Sequence, residues 1–420
     1  MPDPAGSITP ALSARQESID IMTGKPGVVP LVARSSHSLL MGTTAIDALV
    51  EQAARLGHPA LALTDRNNVY GLVAFRTAAR GAGLAPIHGA EVDDPSTGTR
   101  AVLLVRTMAG YENLCRILTR RMMEADFALG AALAVPGATD GLHVLTDDDA
   151  LVRALHPVLE PNRLWILLAD PSRAPNDWRR LATIGRELKR PLVASPDVMY
   201  LEEADRGQHR LVTAIRRREL VSRVPEEALA PPGSHLPDSR RIIERFRDFP
   251  EALVNNRLIR EECADLDWTL GKPIFPKCPL PPGETAYSHL FRMCLDGMRR
   301  RYGGLHPPAM RRLAQELEVI DRLGFPEYFI IVADICHFAH GQGIPTVGRG
   351  SGAGSIVTYL LGITNVCPLR YRLYFERFLH DKRRDLPDLD IDLCWRRRDD
   401  VIDHVYRTYG ADRVAMICTH

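Results

Sequence analysis

Between residues 29 and 203 short apolar runs recur at intervals, with amphipathic segments between them, and this alternation restricts the fold more than any other feature of the chain. "PALALTD" (59–65), "APIHGAEV" (85–92), "RAVLLVR" (100–106), "LWILLAD" (164–170) and "PLVASPDVMYL" (191–201) are too short for buried helices and read as buried strands. A short strand is also expected within "LVARSSHSLL" (31–40). In "TTAIDALVEQAARLGH" (43–58), apolar residues fall at Ile46, Leu49, Val50, Ala53 and Leu56, which is helical spacing. Thr44 and Asp47 suggest a capping box there, and Gly57 a stop. "VYGLVAFRTAARGAGL", "GYENLCRILTRRMMEAD" and "DWRRLATIGRELK" continue the series as helices. Such punctuation predicts an α/β unit of about 170 residues built on a mostly parallel sheet or barrel.

Beyond Glu202 the pattern turns mainly helical, through "EADRGQHRLVTAIRRREL", "DSRRIIERFRDF" and "PEALVNNRLIREECADL", until the proline-rich "GKPIFPKCPLPPGE" at 271–284. Two more helices are expected in "AYSHLFRMCLDGMRRRYG" and "PAMRRLAQELEVIDRLGF". A chain of 420 residues should divide into roughly two to four domains. The divisions expected are a flexible tail over 1–28, the β/α unit over 29–203, a helical connector with a proline-rich linker over 204–284, and a further unit over 285–420.

Charge offers no global argument for a polyanionic partner, because 53 Lys+Arg balance 52 Asp+Glu and leave a formal net charge of +1. Short basic clusters remain, at Arg216–Arg218, Arg299–Arg301, Arg383–Arg384 and Arg396–Arg398, each read most simply as a solvated face. The eight cysteines show no CxxC pair and no zinc spacing, which fits reduced thiols in a cytoplasmic protein and argues against structural zinc. No apolar run approaches the roughly 18 residues of a membrane span, and the first 28 residues lack the order of a signal peptide.

Two segments carry unusual chemistry. "VGRGSGAGS" (347–355) runs into the apolar "IVTYLLGI", so its glycines would let backbone N–H groups approach an anion beside a helix start. It lacks the Lys-Ser/Thr of a Walker loop and the spacing of a dinucleotide fold, and alone it is equally a tight structural turn. In "LPDLDIDL" (386–393) a strand would place Asp388, Asp390 and Asp392 on one face, with Leu389, Ile391 and Leu393 toward a core. Carboxylates that close raise each other's pKa unless a cation joins them, and alternate hard oxygens suit Mg²⁺. An edge strand decorated with acids for solubility is the plainer alternative. A phosphate-cradling loop and a carboxylate strand in one stretch together suggest metal-assisted phosphoryl transfer.

The long segment from "GFPEYFIIVADICHFAHGQGIPTVGRGSGAGSIVTYLLGI" to "LPDLDIDLCWRRRDDVIDHVYRTYGADRVAMI" closely resembles the palm of the bacterial C-family DNA polymerases, the replicative alpha subunit and its error-prone relatives. By that resemblance Gly350, Ser351, Gly354 and Ser355 belong to the loop that holds the incoming triphosphate, and Arg349 and Arg377 are phosphate partners. Asp390 and Asp392 fall on two of the three catalytic aspartates that hold two Mg²⁺ ions. The implied activity is template-directed DNA synthesis in replication or repair, on primer–template DNA and dNTPs, with a sliding clamp and other replication proteins as partners. The family's third aspartate, fingers and clamp-binding region follow the part matching "AMICTH", so the chain is expected to hold an incomplete palm and to be inactive alone.

The N-terminal part, with "ARLGHPALALTDRNNVYGLVAF" and "GAEV", resembles the polymerase and histidinol phosphatase (PHP) domain of the same enzymes, a distorted β/α barrel. That resemblance aligns the family's first metal-binding His-x-His pair with Ala33 and Ser35. His37, Asp65, Glu91 and Asp197 remain as ligands, while Arg66 and Met199 stand where the family has histidines. A PHP metal cluster is therefore not expected, and Arg66 is expected to supply positive charge to Asp65 and Glu91. The eroded site favours an error-prone or accessory polymerase. The rival readings are a PHP-type phosphoesterase or 3′–5′ exonuclease, and a non-catalytic module that binds DNA or replisome proteins.

Overall fold

The computed structural model describes residues 27–169, 175–264, 266, 268, 277–380, 387–411 and 413–417. The chain forms two compact units, Met1–Thr269 and Leu270–His420. Most of the tail expected over 1–28, part of the proline-rich linker, and Arg383–Arg384 lie outside the described residues.

In the first unit six strands run side by side in chain order: β2 (Ala60–Leu63), β3 (Ala85–Asp93), β4 (Arg100–Val105), β5 (Leu142–Thr146), β6 (Leu164–Leu168) and β7 (Leu192–Ala194). β2–β3, β5–β6 and β6–β7 pair in parallel, whereas β4 lies antiparallel to both neighbours. The sheet is thus mostly parallel, as the alternation suggested, with β4 alone reversed. The cause is local: the turn "DPSTG" between β3 and β4 is too short for a crossover helix, so the strands must form a hairpin. Asp94 holds that turn, its side chain accepting from the backbone of Ser96 and Thr97.

The first strand, β1 (Val32–Ala33), joins the two ends of the sheet. It pairs in parallel with β8 (Asp197–Val198), which follows β7 closely in the chain. On its other side Ala62 N–H donates to Pro30 and Thr64 N–H to Ala33. This closure gives the distorted barrel, and its strands are buried because helices cover them. Those helices are α1 (Ile46–Arg55), α2 (Leu72–Gly81), α3 (Met108–Met123), α4 (Leu129–Ala134), α5 (Asp149–Leu155) and α6 (Pro175–Leu188). α1 buries Ile46, Leu49, Val50 and Ala53, as its periodicity predicts. Its expected capping box does not form: Ala45 is the N-cap, with no side-chain bond, and the Thr44 carbonyl accepts instead from Ser36. Gly57, at φ 74°, does end the helix turn.

The helices after Glu202 are α7 (Arg206–Arg217), α8 (Ser239–Arg245) and α9 (Pro250–Cys263). They belong to the first unit, so the segment expected as a connector over 204–284 is divided. Asn256, fully buried on α9, donates to the carbonyls of Val29 and Ala194 and accepts from Val29 N–H. One amide thereby ties the strand leading into β1 to β7. In the second unit α10 (Ala286–Tyr302), α11 (Pro307–Arg322) and α12 (Pro326–Gly341) share a core with the short α13 (Ile356–Leu360). Beside them β9 (Thr346–Arg349) pairs antiparallel with β10 (Asp390–Leu393), and α14 (Arg398–Tyr409) follows. Among the described residues no helix is long and apolar enough to cross a membrane.

Asn256→Ala would orphan two carbonyls and one amide at the barrel closure. The expected cost is about 3 kcal/mol of unfolding free energy, read from the urea midpoint of the first unit.

Candidate active site

Two places bring together the residues singled out by sequence, one in each unit. In the barrel, Glu91 projects from β3 and Asp197 opens β8. Between them lies Arg34, the residue that follows β1, only 1% exposed. Its guanidinium forms ion pairs with both carboxylates. Arg100, the first residue of β4, reaches the same two acids at 3.1 and 3.0 Å and approaches Asp147 at 3.5 Å. Burial pushes the Glu91 and Asp197 carboxyls upward, but Arg34 and Arg100 more than reverse this and hold both below the usual carboxylate range. Asp65 is held separately, accepting from Ser35 N–H at 2.7 Å and from the hydroxyls of Ser35 and Ser38 at 2.8 and 2.6 Å.

Arg66 does not neutralise Asp65 or Glu91 as expected. Its backbone bridges to Glu91, but its guanidinium grips Asp93, which Arg121 and Asn67 also bind. Glu91 and Asp93 lie two apart on β3 and share a face; with Glu91 already paired, Arg66 meets the next carboxylate along. His37 is half-buried beside Gly71, and no hydrogen bond or ion pair joins its ring to the three acids among the described residues. No group of three or more His, Cys, Asp or Glu is placed to hold a metal ion among the described residues. Sequence reasoning missed Arg34 and Arg100, and the available signal was faint: one arginine directly after the apolar β1 and one at the start of the otherwise apolar β4.

In the second unit β10 alternates as predicted. Asp388, Asp390 and Asp392 are exposed, while Leu389 and Ile391 pack against the helical core and Leu393 against a smaller cluster with Ile344 and Val401. Across the ladder Asp390 faces Arg349, and Arg349 Nε lies 3.2 Å from Asp392 Oδ1, with both side chains more than half exposed. The chain then turns through Gly350, at φ 74°, where a Cβ would stand 3.2 Å from Asp390 Oδ2. Glycine therefore suits the site twice, by conformation and by space. Two carboxylates, an arginine and the start of a glycine-rich turn thus share one open face.

The remainder of the loop turns inward. Gly350–Gly354 forms a 3₁₀ turn in which Gly350 is exposed and Ser351 half-buried, whereas Gly354 and Ser355 are buried. The Ser355 hydroxyl caps α13, accepting from Val357 and Thr358 N–H, and donates to Glu316 Oε2 at 2.7 Å. Of the loop residues expected to face a triphosphate, Arg349, Gly350 and Ser351 remain available, and Ser355 is a structural cap instead. Arg377 is exposed on the turn Phe375–Arg377, close to the loop, with the Tyr374 carbonyl 2.9 Å from where a Gly354 Cβ would lie.

Comparison with known proteins bears on both places. Residues 31–141 match the family described as PHP domain, and residues 288–420 match the Bacterial DNA polymerase III alpha NTPase domain. The chain is 36% identical to an error-prone DNA polymerase of Symbiobacterium thermophilum, over 93% of this chain and 39% of that protein. It is 34% identical to DNA polymerase III subunit alpha of Bacillus subtilis and 33% to that of Pseudomonas fluorescens, in each case over 93% of this chain and 37% of the relative. The chain thus spans about two fifths of the length of these relatives.

The barrel network has a defined pH signature. Glu91 and Asp197 have depressed folded-state values, so their stabilisation is complete above about pH 5 and is lost as pH falls below the unfolded values of 4.5 and 3.8. Arg34→Met should cost roughly 3–5 kcal/mol at pH 7, because it leaves buried carboxylates undercompensated. Those carboxyls would then titrate higher, so urea unfolding at pH 5 should show a smaller deficit than at pH 7.

Proposed function

We propose, from the likeness of the chain to DNA polymerase III alpha subunits and an error-prone DNA polymerase, that it supplies the first part of the palm of a DNA-directed DNA polymerase of error-prone or accessory type. Its substrates are primer–template DNA and dNTPs, and its partners a sliding clamp and other replication or repair proteins. The observation that carries this reading is the open face where Asp390 and Asp392 stand beside Arg349 and Gly350.

The residues fit Mg²⁺, which takes one or two carboxylates and completes its shell with phosphate oxygens and water. When bound, Mg²⁺ supplies charge neutralisation to the attacking and leaving oxygens of nucleotidyl transfer. Asp390 and Asp392 are the ligands, on a strand anchored by Ile391 and Leu393, so their spacing is set by the backbone. Arg349 is free to exchange its exposed pairing with Asp392 for a phosphate, since a surface ion pair is worth about 1 kcal/mol or less. The backbone at Gly350 and Ser351 contributes donors, and Arg377 a second guanidinium, to orient the triphosphate.

The guanidinium-filled barrel supports a structural role for the PHP part over a phosphoesterase or exonuclease role. A permanent internal cation between Glu91 and Asp197 occupies the ligands that metal-activated water would need.

Titration of Mn²⁺ or Mg²⁺ by calorimetry should show weaker binding, by tenfold or more, in Asp390→Asn/Asp392→Asn than in the unaltered protein. Equal affinities would remove the assignment. Purified protein should also release no nucleotide from a primer 3′ end with Mn²⁺; release abolished by Asp197→Asn would favour the exonuclease reading.

A further inference from the structure

Glu316 is a carboxylate on α11, 1% exposed, and nothing in its own stretch of sequence marks it as functional. Its oxygens collect four donors. Oε1 accepts from Arg312 Nε at 2.7 Å and Ile356 N–H at 3.0 Å. Oε2 accepts from the Ser355 hydroxyl at 2.7 Å, Ile356 N–H at 2.8 Å and Val357 N–H at 3.3 Å. The first amides of the five-residue α13 are therefore met from inside the protein. Arg312 extends the tie, because its Nη2 donates to the Leu373 carbonyl at 3.2 Å, just ahead of the turn that bears Arg377.

We propose that Glu316, together with Arg312, is the positioning residue of the phosphate-facing surface: it pulls the end of the glycine-rich loop down onto α11 and fastens the Arg377 turn beside it, so that Gly350 and Ser351 are left facing outward. The inference rests on the reading of this loop as a nucleotide site, but it makes a separate claim about what shapes the loop. An amide cannot replace the carboxylate, because every partner is a donor and the NH₂ of glutamine would face one of them. Aspartate keeps the charge with a shorter reach.

The test compares Glu316→Gln and Glu316→Asp with Leu317→Ala, a core truncation on the same helix whose side chain carries no hydrogen-bonding group. Hydrogen exchange of the 420-residue protein without ligand is the first measurement. In Glu316→Gln the amides of 350–358 and 373–377 should exchange at least tenfold faster relative to those of α10 and α12. Glu316→Asp should fall between, and Leu317→Ala should accelerate all segments alike. If Glu316→Gln also accelerates all segments alike, the residue only supports the core and the proposal fails. The second measurement is binding of dATP with Mg²⁺. A tenfold or greater loss in Glu316→Gln, absent from Leu317→Ala, supports positioning, and an unchanged affinity overturns it. Failure of the unaltered protein to bind dATP sinks the nucleotide reading of the loop, while the exchange measurement still decides the role of Glu316.

Discussion

A charge taken out of water has to be met inside the protein, and each unit is organised around one such charge. In the barrel it is the guanidinium of Arg34, with Glu91 and Asp197 closing on it and Arg100 completing the exchange. In the second unit it is the carboxylate of Glu316, surrounded by donors from Arg312, Ser355 and the start of α13. Burial pushes the Glu316 carboxyl above its usual range, and Arg312, Ser355 and the Ile356 N–H offset only part of that rise. Neither centre could lose a partner cheaply, because the residue left behind would be a buried charge without compensation.

The same economy separates what was readable in the sequence from what was not. Periodicity is a local signal, and it located α1, the barrel strands other than β5 and the alternation of β10, because each requires only that a segment bury one face. The exposure of Asp390 and Asp392 over Ile391 and Leu393 follows from a repeat of two. The centres of both units depend instead on residues far apart in the chain. Arg34 meets Asp197 across the barrel closure, and Asn256 meets Val29 from a helix near the unit's end. Charged side chains in such positions look like any surface arginine or glutamate when read along the chain. Arg66 illustrates the point: its position beside Asp65 suggested a partner, yet register along β3 delivered it to Asp93.

The glycine-rich loop differs along its length in what it leaves open. The glycine-rich loop begins exposed at Arg349 and Gly350 and ends buried at Ser355, so one short segment contains both an accessible surface and its own anchor. A helix start usually attracts anions, but here an internal anion has already taken that position. Specificity for a phosphate would therefore come from the outer part of the loop and from guanidiniums, in a place open enough for a large polyanion to approach.

Arg34 also changes how the barrel depends on its surroundings. A fold that needs bound metal has a stability set by mass action, so it weakens whenever the supply of that metal falls. A cation attached to the chain cannot be diluted, chelated or exchanged for a competing ion. Its concentration beside Glu91 and Asp197 is fixed by the backbone, at the same value in a starved cell as in a replete one.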